Sequence, residues 1–502
     1  MVALNSALNS ALDNALAKAI EALALQLHRQ SVNPNPRYPC RIQQRLKLTT
    51  ELDPELAPEL APELAPEVDL SGWLAAQSAF PKFFWRSRDR RTQIATLGIA
   101  VDYQDQQAHS QLSANIAIEQ GLRYYWLSGF DIPTVCGKPA GHDKGYPQQR
   151  LFLPQLELSQ EDARLTLSVV LATSTDIAGR ATQLQHLHPC LTLIPAPIKI
   201  ARRQESLDYP QWKKAIGDAK RCFNQGTLQK VVLARQSHFD CLEPIDFWSL
   251  FKSWQSGSLN SYQMGYQMSA EQGFLSFSPE RLYRRDGSTL TTEAIAGTLP
   301  RSTDTDLARQ QAQTLLADSK SRHEHDLVVV EIGAKLEGLG INLSQGCHTE
   351  LLKLAGIQHL KQRIQGQLPH PQMDAQLLLT LHPTAAVGGL PTEAARNFIR
   401  LHEPSQRGLY AGCCGYIGPE QSELAVTIRS AEVRLSQLTL YAGAGIVPQS
   451  DPELEWQELE QKIAQPLACL RYPQSRPINN LNLEPTYQGV ETVHVFNSSQ
   501  LD

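Results

Sequence analysis

Gln229-Lys230-Val231-Val232-Leu233-Ala234-Arg235 sets an apolar, partly β-branched run between two cations. Such a run reads as a buried strand. Lys230 at its entrance has two readings. It is a solvent-facing lysine at a strand end, or it is a general base in a dry site, where burial against apolar neighbours favours the neutral amine. The flanks give the context. Residues 209–225 carry Trp212, Ile216, Ala219 and Phe223 on one helical face, residues 245–254 read as a second helix, and residues 273–277 read as a strand.

Further out, strand patterns run through 94–101, 122–130, 151–158 and 163–171, with Phe83-Phe84-Trp85 ahead of them. Strands following strands without regular βαβ alternation argue against a doubly wound parallel sheet. On the C-terminal side, Ala296-Gly297-Thr298 reads as a tight turn. A helix is predicted from about Ser321, and His382-Pro383-Thr384-Ala385-Ala386 opens a loop of small residues. Residues 408–417, 425–433 and 438–442 are strand-like, and a last helix runs through 452–463.

The ends differ in character. Ala-Leu-Asn-Ser is repeated at 3–6 and 7–10, giving a short amphipathic helix, and Pro54, Pro58, Pro62 and Pro66 recur every four residues. Proline at that density excludes regular helix and sheet. The expected organisation is therefore an N-terminal extension and linker over 1–70 that adds nothing to the core, one catalytic domain over 71–470, and a disordered polar tail over 471–502.

The chain of 502 residues is 42% hydrophobic with a net charge of −5, which gives no reason to expect nucleic acid or an acidic membrane surface. Its nine cysteines are scattered and form no C-x-x-C, so they read as reduced thiols. No apolar run approaches the ~20 residues of a membrane span, and the N-terminus lacks the order of a secretory signal. A cytoplasmic protein is the expectation, or a plastid-stromal one if the extension is a transit peptide. No P-loop, dinucleotide fingerprint or Ser/His/Asp constellation is present.

Four carboxylates could carry chemistry. Glu280 follows a strand and a proline; it is a surface turn residue, or an acid working opposite Lys230. Glu324 is placed in the first turn of its helix, where the dipole favours a carboxylate. Glu455, Glu458 and Lys462 share one helical face, which is either solvated or, with Glu324, an all-oxygen cation site. Gly443 and Gly445 allow close backbone approach to an anion. Arg429 stands inside a strand pattern and needs a partner, an external carboxylate or a structural acid.

Together these stretches resemble the chorismate-utilising enzymes, which include isochorismate, salicylate, anthranilate and aminodeoxychorismate synthases. The carrying motifs are Lys230 to Arg235, Phe277-Ser-Pro-Glu280, Ala294-Ile-Ala-Gly-Thr298, Glu324-His325, His382-Pro-Thr-Ala-Ala386, Arg407-Gly-Leu-Tyr-Ala-Gly412, Thr427-Ile-Arg429, Gly443-Ala-Gly-Ile446 and Glu455-Trp-Gln-Glu458 with Lys462. The resemblance implies an α+β chorismate-binding fold, two large antiparallel sheets packed face to face with helices outside. It implies Mg²⁺ held by Glu324 and Glu458 with Glu455 close by. It implies chorismate contacts at Gly297, Thr298, His382, Ala386, Tyr410, Arg429, Gly443 and Lys462, Lys230 as the base for water and Glu280 as the acid for the 4-hydroxyl. No obligatory protein partner is expected. Anthranilate-type members carry glutamine where Lys230 stands, so the resemblance points to isochorismate formation. A salicylate synthase is the alternative, though these tend to carry threonine where Ala386 stands. A non-catalytic subunit would show a broken set among Lys230, Glu280, Glu324 and Glu458, and the set is intact.

Overall fold

In the computed structural model the described residues are 2–31, 38–46, 68–116, 120–131, 146–258, 260–344, 348–354, 356–371 and 373–471. They form an α+β architecture in which every strand pairing is antiparallel. The expected pair of sheets appears as one continuous hydrogen-bonded ladder with two arms. Both arms spring from strand Gln149–Glu161. Its partner Thr92–Gln104 begins the first arm, which continues through Lys82–Arg86, Tyr262–Gln267, Gln272–Ser278, Ser430–Arg434 and Gln437–Ile446 to Lys230–Cys241. The second arm runs from Tyr124–Ser128 through Cys413–Ile417, Gln421–Val426, Arg281–Asp286 and Thr289–Pro300 to Ile357–Gln367.

Two short crossings, side by side, carry the chain directly from one arm to the other. Pro279-Glu280 joins Gln272–Ser278 to Arg281–Asp286, and Thr427-Ile428-Arg429 joins Gln421–Val426 to Ser430–Arg434. The crossings are stitched together, because Phe277 N donates to Arg429 O at 2.9 Å and Val426 N donates to Glu280 O at 3.1 Å. Arg429 is therefore not inside a strand, as the sequence pattern suggested, but at a break with φ of +50°. Alternating apolar residues on both sides of position 429 hide that break. Gly297 also departs from expectation. It is a bulge in strand Thr289–Pro300, with φ of +76° and a skipped register between Ala296 and Thr298, and not a turn. A Cβ there would stand 3.0 Å from Ser321 Cβ, so glycine lets helix Ser319–Gly338 close on the sheet.

That helix starts at Ser319 with Asp318 as its N-cap, so Glu324 lies in its second turn, past the reach of the dipole argument. The N-terminal extension also corrects the reading. Helix Val2–Ser31 buries Leu12, Leu16, Leu23 and Leu27, and it contacts strands Cys40–Leu46 and Arg164–Leu171 and helix Asp176–Gln185. Strand Cys40–Leu46 pairs along the whole of Arg164–Leu171, and Arg41 donates to Glu157 at 2.5 Å and to Ser168 at 2.8 Å. Arg41 thus meets a buried carboxylate from far along the chain. The Pro-Glu-Leu-Ala repeats, the tail from residue 472 and the side chains of Leu4 and Leu8 lie outside the described residues. The seven described cysteines are free thiols, and among the described residues no helix is long and apolar enough to cross a membrane.

Removing residues 1–46 should lower Tm by several degrees and reduce soluble yield, since it uncovers the apolar face beneath four leucines, each contributing about 1.5–3 kcal/mol of burial. Differential scanning calorimetry on the truncated and full chains checks this. An unchanged Tm would show that the helix does not dock.

Candidate active site

The two crossings, the bulge and the first residues of strand Lys230–Cys241 converge on one cavity, whose wall mixes apolar residues with a few convergent charged groups, as small-ligand sites do. Its wall includes Glu280 and Arg429 from the crossings, Gly297 and Thr298 from the bulge, Ala386, Tyr410, Gly443 and Gly445, Glu324 from helix Ser319–Gly338, and Glu458 and Lys462 from helix Pro452–Arg471.

Lys230 stands directly behind this wall. It is fully buried, and its Nζ lies 3.1 Å from Glu324 Oε1. Strand Gln437–Ile446 runs antiparallel beside it, with Gly445 opposite Val232. A side chain at position 445 would collide with Glu324 Oε1 and stand 3.2 Å from Lys230 Cε. Glycine at 445 is what makes room for this ion pair. Lys230 and Lys320 hold the Glu324 carboxyl below its usual range, against the opposing effect of burial.

Three carboxylates form the acidic end. Lys320 Nζ lies 2.8 Å from Glu455 Oε1, and Glu324, Glu455 and Glu458 all raise the Lys320 pKa above its ordinary value. Glu455 is pushed up to about 7 by burial and by the charge of Glu458. Lys462 Nζ lies 2.6 Å from Glu458 Oε1 and donates to Gly443 O at 2.7 Å. Among the described residues no three such groups stand close enough to grip one ion as placed. Each carboxylate is instead tied to a lysine, and the Lys320 ammonium stands in for a cation among all three. The donor set, carboxylate oxygens with excess negative charge, suits a hard divalent ion once Lys320 gives way.

The opposite end is basic. Arg429 is half-buried and has no carboxylate within 4 Å among the described residues; desolvation in the cavity wall pushes its pKa down to about 10. Its Nη2 donates to His359 Nε2 at 3.3 Å, and His359 Nδ1 lies 3.0 Å from Thr298 Oγ1. Burial and the Arg429 charge keep His359 well below its usual range, hence neutral. A half-buried guanidinium without an acid beside it, facing a cavity, is a site for an external carboxylate. Tyr410 stacks on Tyr441 at 5.1 Å between ring centroids and points its hydroxyl at Gly443. Between the two ends stands Glu280. Burial, and then the charge of Glu293, push its pKa up to about 8, while Lys230 and a bond from Thr384 oppose them. It is a carboxylic acid at neutral pH.

Of the residues expected from sequence, ten line the cavity. Lys230 and Glu455 lie one layer behind it. His382 is not part of the wall. It turns to the backbone of Gly129 and Phe130; burial, and then the charge of Arg396, lower its pKa to about 3 against the opposing effect of those backbone groups, so it is neutral. Its place in a motif gave no sign of which way the ring faces. His359, Val232 and Tyr441 were missed. For His359 the only signal is a lone histidine in an apolar strand opposite Thr298, and the bulge that aligns the two is visible only in the register.

Residues 59–471 match the family of chorismate binding enzymes. The chain is 34% identical to isochorismate synthase MenF of Escherichia coli over 400 residues, covering 79% of this chain and 89% of that protein. The solved structure of MenF, described as the menaquinone-specific isochorismate synthase of Escherichia coli, aligns with a TM-score of 0.76 at 31% identity, covering 92% of this chain and 100% of that one. Anthranilate synthase component I of Streptococcus pneumoniae aligns with a TM-score of 0.60 at 17% identity over 83% of this chain and 97% of that one, a likeness of fold.

Gly445→Ala should break the Lys230–Glu324 pair. Expected outcomes are a stability loss of about 3–5 kcal/mol, the cost of separating a buried pair, and loss of turnover. Urea unfolding with a parallel rate assay reads both; a wild-type rate would show that the pair tolerates displacement.

Proposed function

This chain belongs to the chorismate-binding enzymes and is an isochorismate synthase, and we propose from that premise how its residues divide the work. Chorismate is the substrate. Water adds at ring carbon C2, the two double bonds shift, and the 4-hydroxyl leaves, so that water enters and water departs. Arg429, with Tyr410 and the backbone near Gly297 and Gly443, receives carboxylate of the substrate. Mg²⁺ is the proposed cation for Glu324 and Glu458, with Glu455 behind them; when bound it would polarise the ring carboxylate and draw density from the diene. Lys230 takes the proton of the attacking water, and Glu280 gives a proton to the departing hydroxyl. Product entry into quinone synthesis, as for the menaquinone-specific relative, is part of this proposal.

The observation that carries the assignment is Glu280, an acid kept protonated at neutral pH on the wall between a basic end and an acidic end. The sign follows from its raised pKa. The acid form is present below about 8 and is lost as pH rises through that value, so kcat/KM should decline on the alkaline side. A second reading of Lys230 rests on its 3.1 Å contact with Glu324, which makes it a fixed counter-ion.

Lys230→Gln separates the two. As a base, its loss should lower isochorismate formation by ~10²–10⁴-fold while chorismate binding by calorimetry persists. Near-wild-type turnover would leave the counter-ion role alone. Chelation should abolish turnover and added Mg²⁺ restore it, with Mg²⁺ also raising Tm; full activity in EDTA would remove the metal from the scheme.

A further inference from the structure

The turn at residues 87–91 belongs to the first arm, far in sequence from the catalytic groups, yet Arg88 reaches the crossing that carries Glu280. Arg88 Nη1 donates to Pro279 O at 2.5 Å, and Arg88 Nη2 bonds Glu293 at 2.8 Å to Oε1 and 3.0 Å to Oε2. Glu293 is 2% exposed and lies on strand Thr289–Pro300, two residues before Ile295 of the cavity wall and so on the same face. Lys361 Nζ, from strand Ile357–Gln367, stands 3.4 Å from Glu293 Oε2 and 2.9 Å from Glu350. Arg281 and Arg88 both lie over the Tyr262 ring, at 5.8 and 5.4 Å, and Arg281 pairs with Glu423 at 3.0 Å. None of these groups touches the cavity except through Pro279 and Glu280.

We propose that Glu293, clamped by Arg88, is a positioning residue for isochorismate formation, acting on Glu280 through the Arg88 bond to the Pro279 carbonyl and through its own charge behind the Glu280 carboxyl. The inference rests on the reading of Glu280 as the acid. A crossing of two residues has little to hold it except its neighbours. Arg88 fixes the carbonyl immediately before Glu280, and Val426 N fixes the one after. Arg88 and Lys361 pair with the Glu293 carboxylate, and a negative charge in a dry wall favours the neutral form of the next carboxyl. The charges facing Glu280 from other elements, Lys230 and Lys462, act in the opposite direction; burial opposes them first, and Glu293 is the charged group that adds to it.

The test is kcat/KM against pH for the wild type, Glu293→Gln and Glu293→Asp, with Tm and KM for chorismate recorded alongside. Glu293→Gln removes the charge and keeps the shape. Its alkaline limb should move to lower pH by about one unit or more, the scale of a neighbouring like charge, while Glu293→Asp restores the limb. A uniform loss of rate that follows Tm, with the limb unmoved, would make Glu293 a structural ion-pair member and overturn the proposal. If Glu293→Gln does not fold, Arg88→Met reads the clamp alone: kcat should fall by roughly 10–10²-fold with KM unchanged, and an unchanged kcat overturns it. A wild type with no alkaline limb, or a fully active Glu280→Gln, would instead refute the acid role of Glu280 itself.

Discussion

Burial of an ammonium beside a carboxylate is the constraint on which the rest depends. Lys230 and Glu324 lie 3.1 Å apart with Lys230 fully buried, and desolvating two charges is costly unless geometry compensates. The fold meets that requirement with a strand that places Lys230, a helix that places Glu324, and Gly445 opposite Val232 to leave the space between them. The same economy recurs at each charged group of the site. Glu458 is tied to Lys462 and Glu455 to Lys320. Arg429 is the exception among the described residues, and that exception gives the cavity its appetite for an anion.

Much of this was legible in the sequence, and for identifiable reasons. The apolar run after Lys230, the i, i+3, i+7 spacing of Glu455, Glu458 and Lys462, and the small residues at 297, 443 and 445 are local patterns that survive folding. The antiparallel character followed from strands without intervening helices. What was not legible depends on register or on long-range pairing. Arg429 looked like a strand residue because its neighbours alternate like one, while the break lies in its own dihedral angle. His359 joins the site only through its match to Thr298 across a bulge, and His382 turns toward Gly129 because of packing that no motif records.

The N-terminal stretch shows the complementary error. A four-residue repeat followed by prolines reads as dispensable because composition has no information about what is left uncovered elsewhere. Strand Arg164–Leu171 would otherwise present an open edge, and Glu157 would have lost the arginine nearest to it. Those needs are written 100 residues downstream of the segment that meets them.

The adjacency of the two crossings has a consequence for how the molecule comes into being. Residues that share the cavity come from 232, 280, 297, 324, 429 and 462, and the helix that supplies Glu458 and Lys462 is the last described element of the chain. Contacts of such sequence separation close late, because loop entropy must be overcome before they can form. The first arm pairs Lys230–Cys241 with Gln437–Ile446 across some two hundred residues, so that part of the sheet stays open until nearly the whole chain has left the ribosome. Catalytic competence thus waits on helix Pro452–Arg471, and a nascent product that lacks it has neither Glu458 nor Lys462 to offer a substrate.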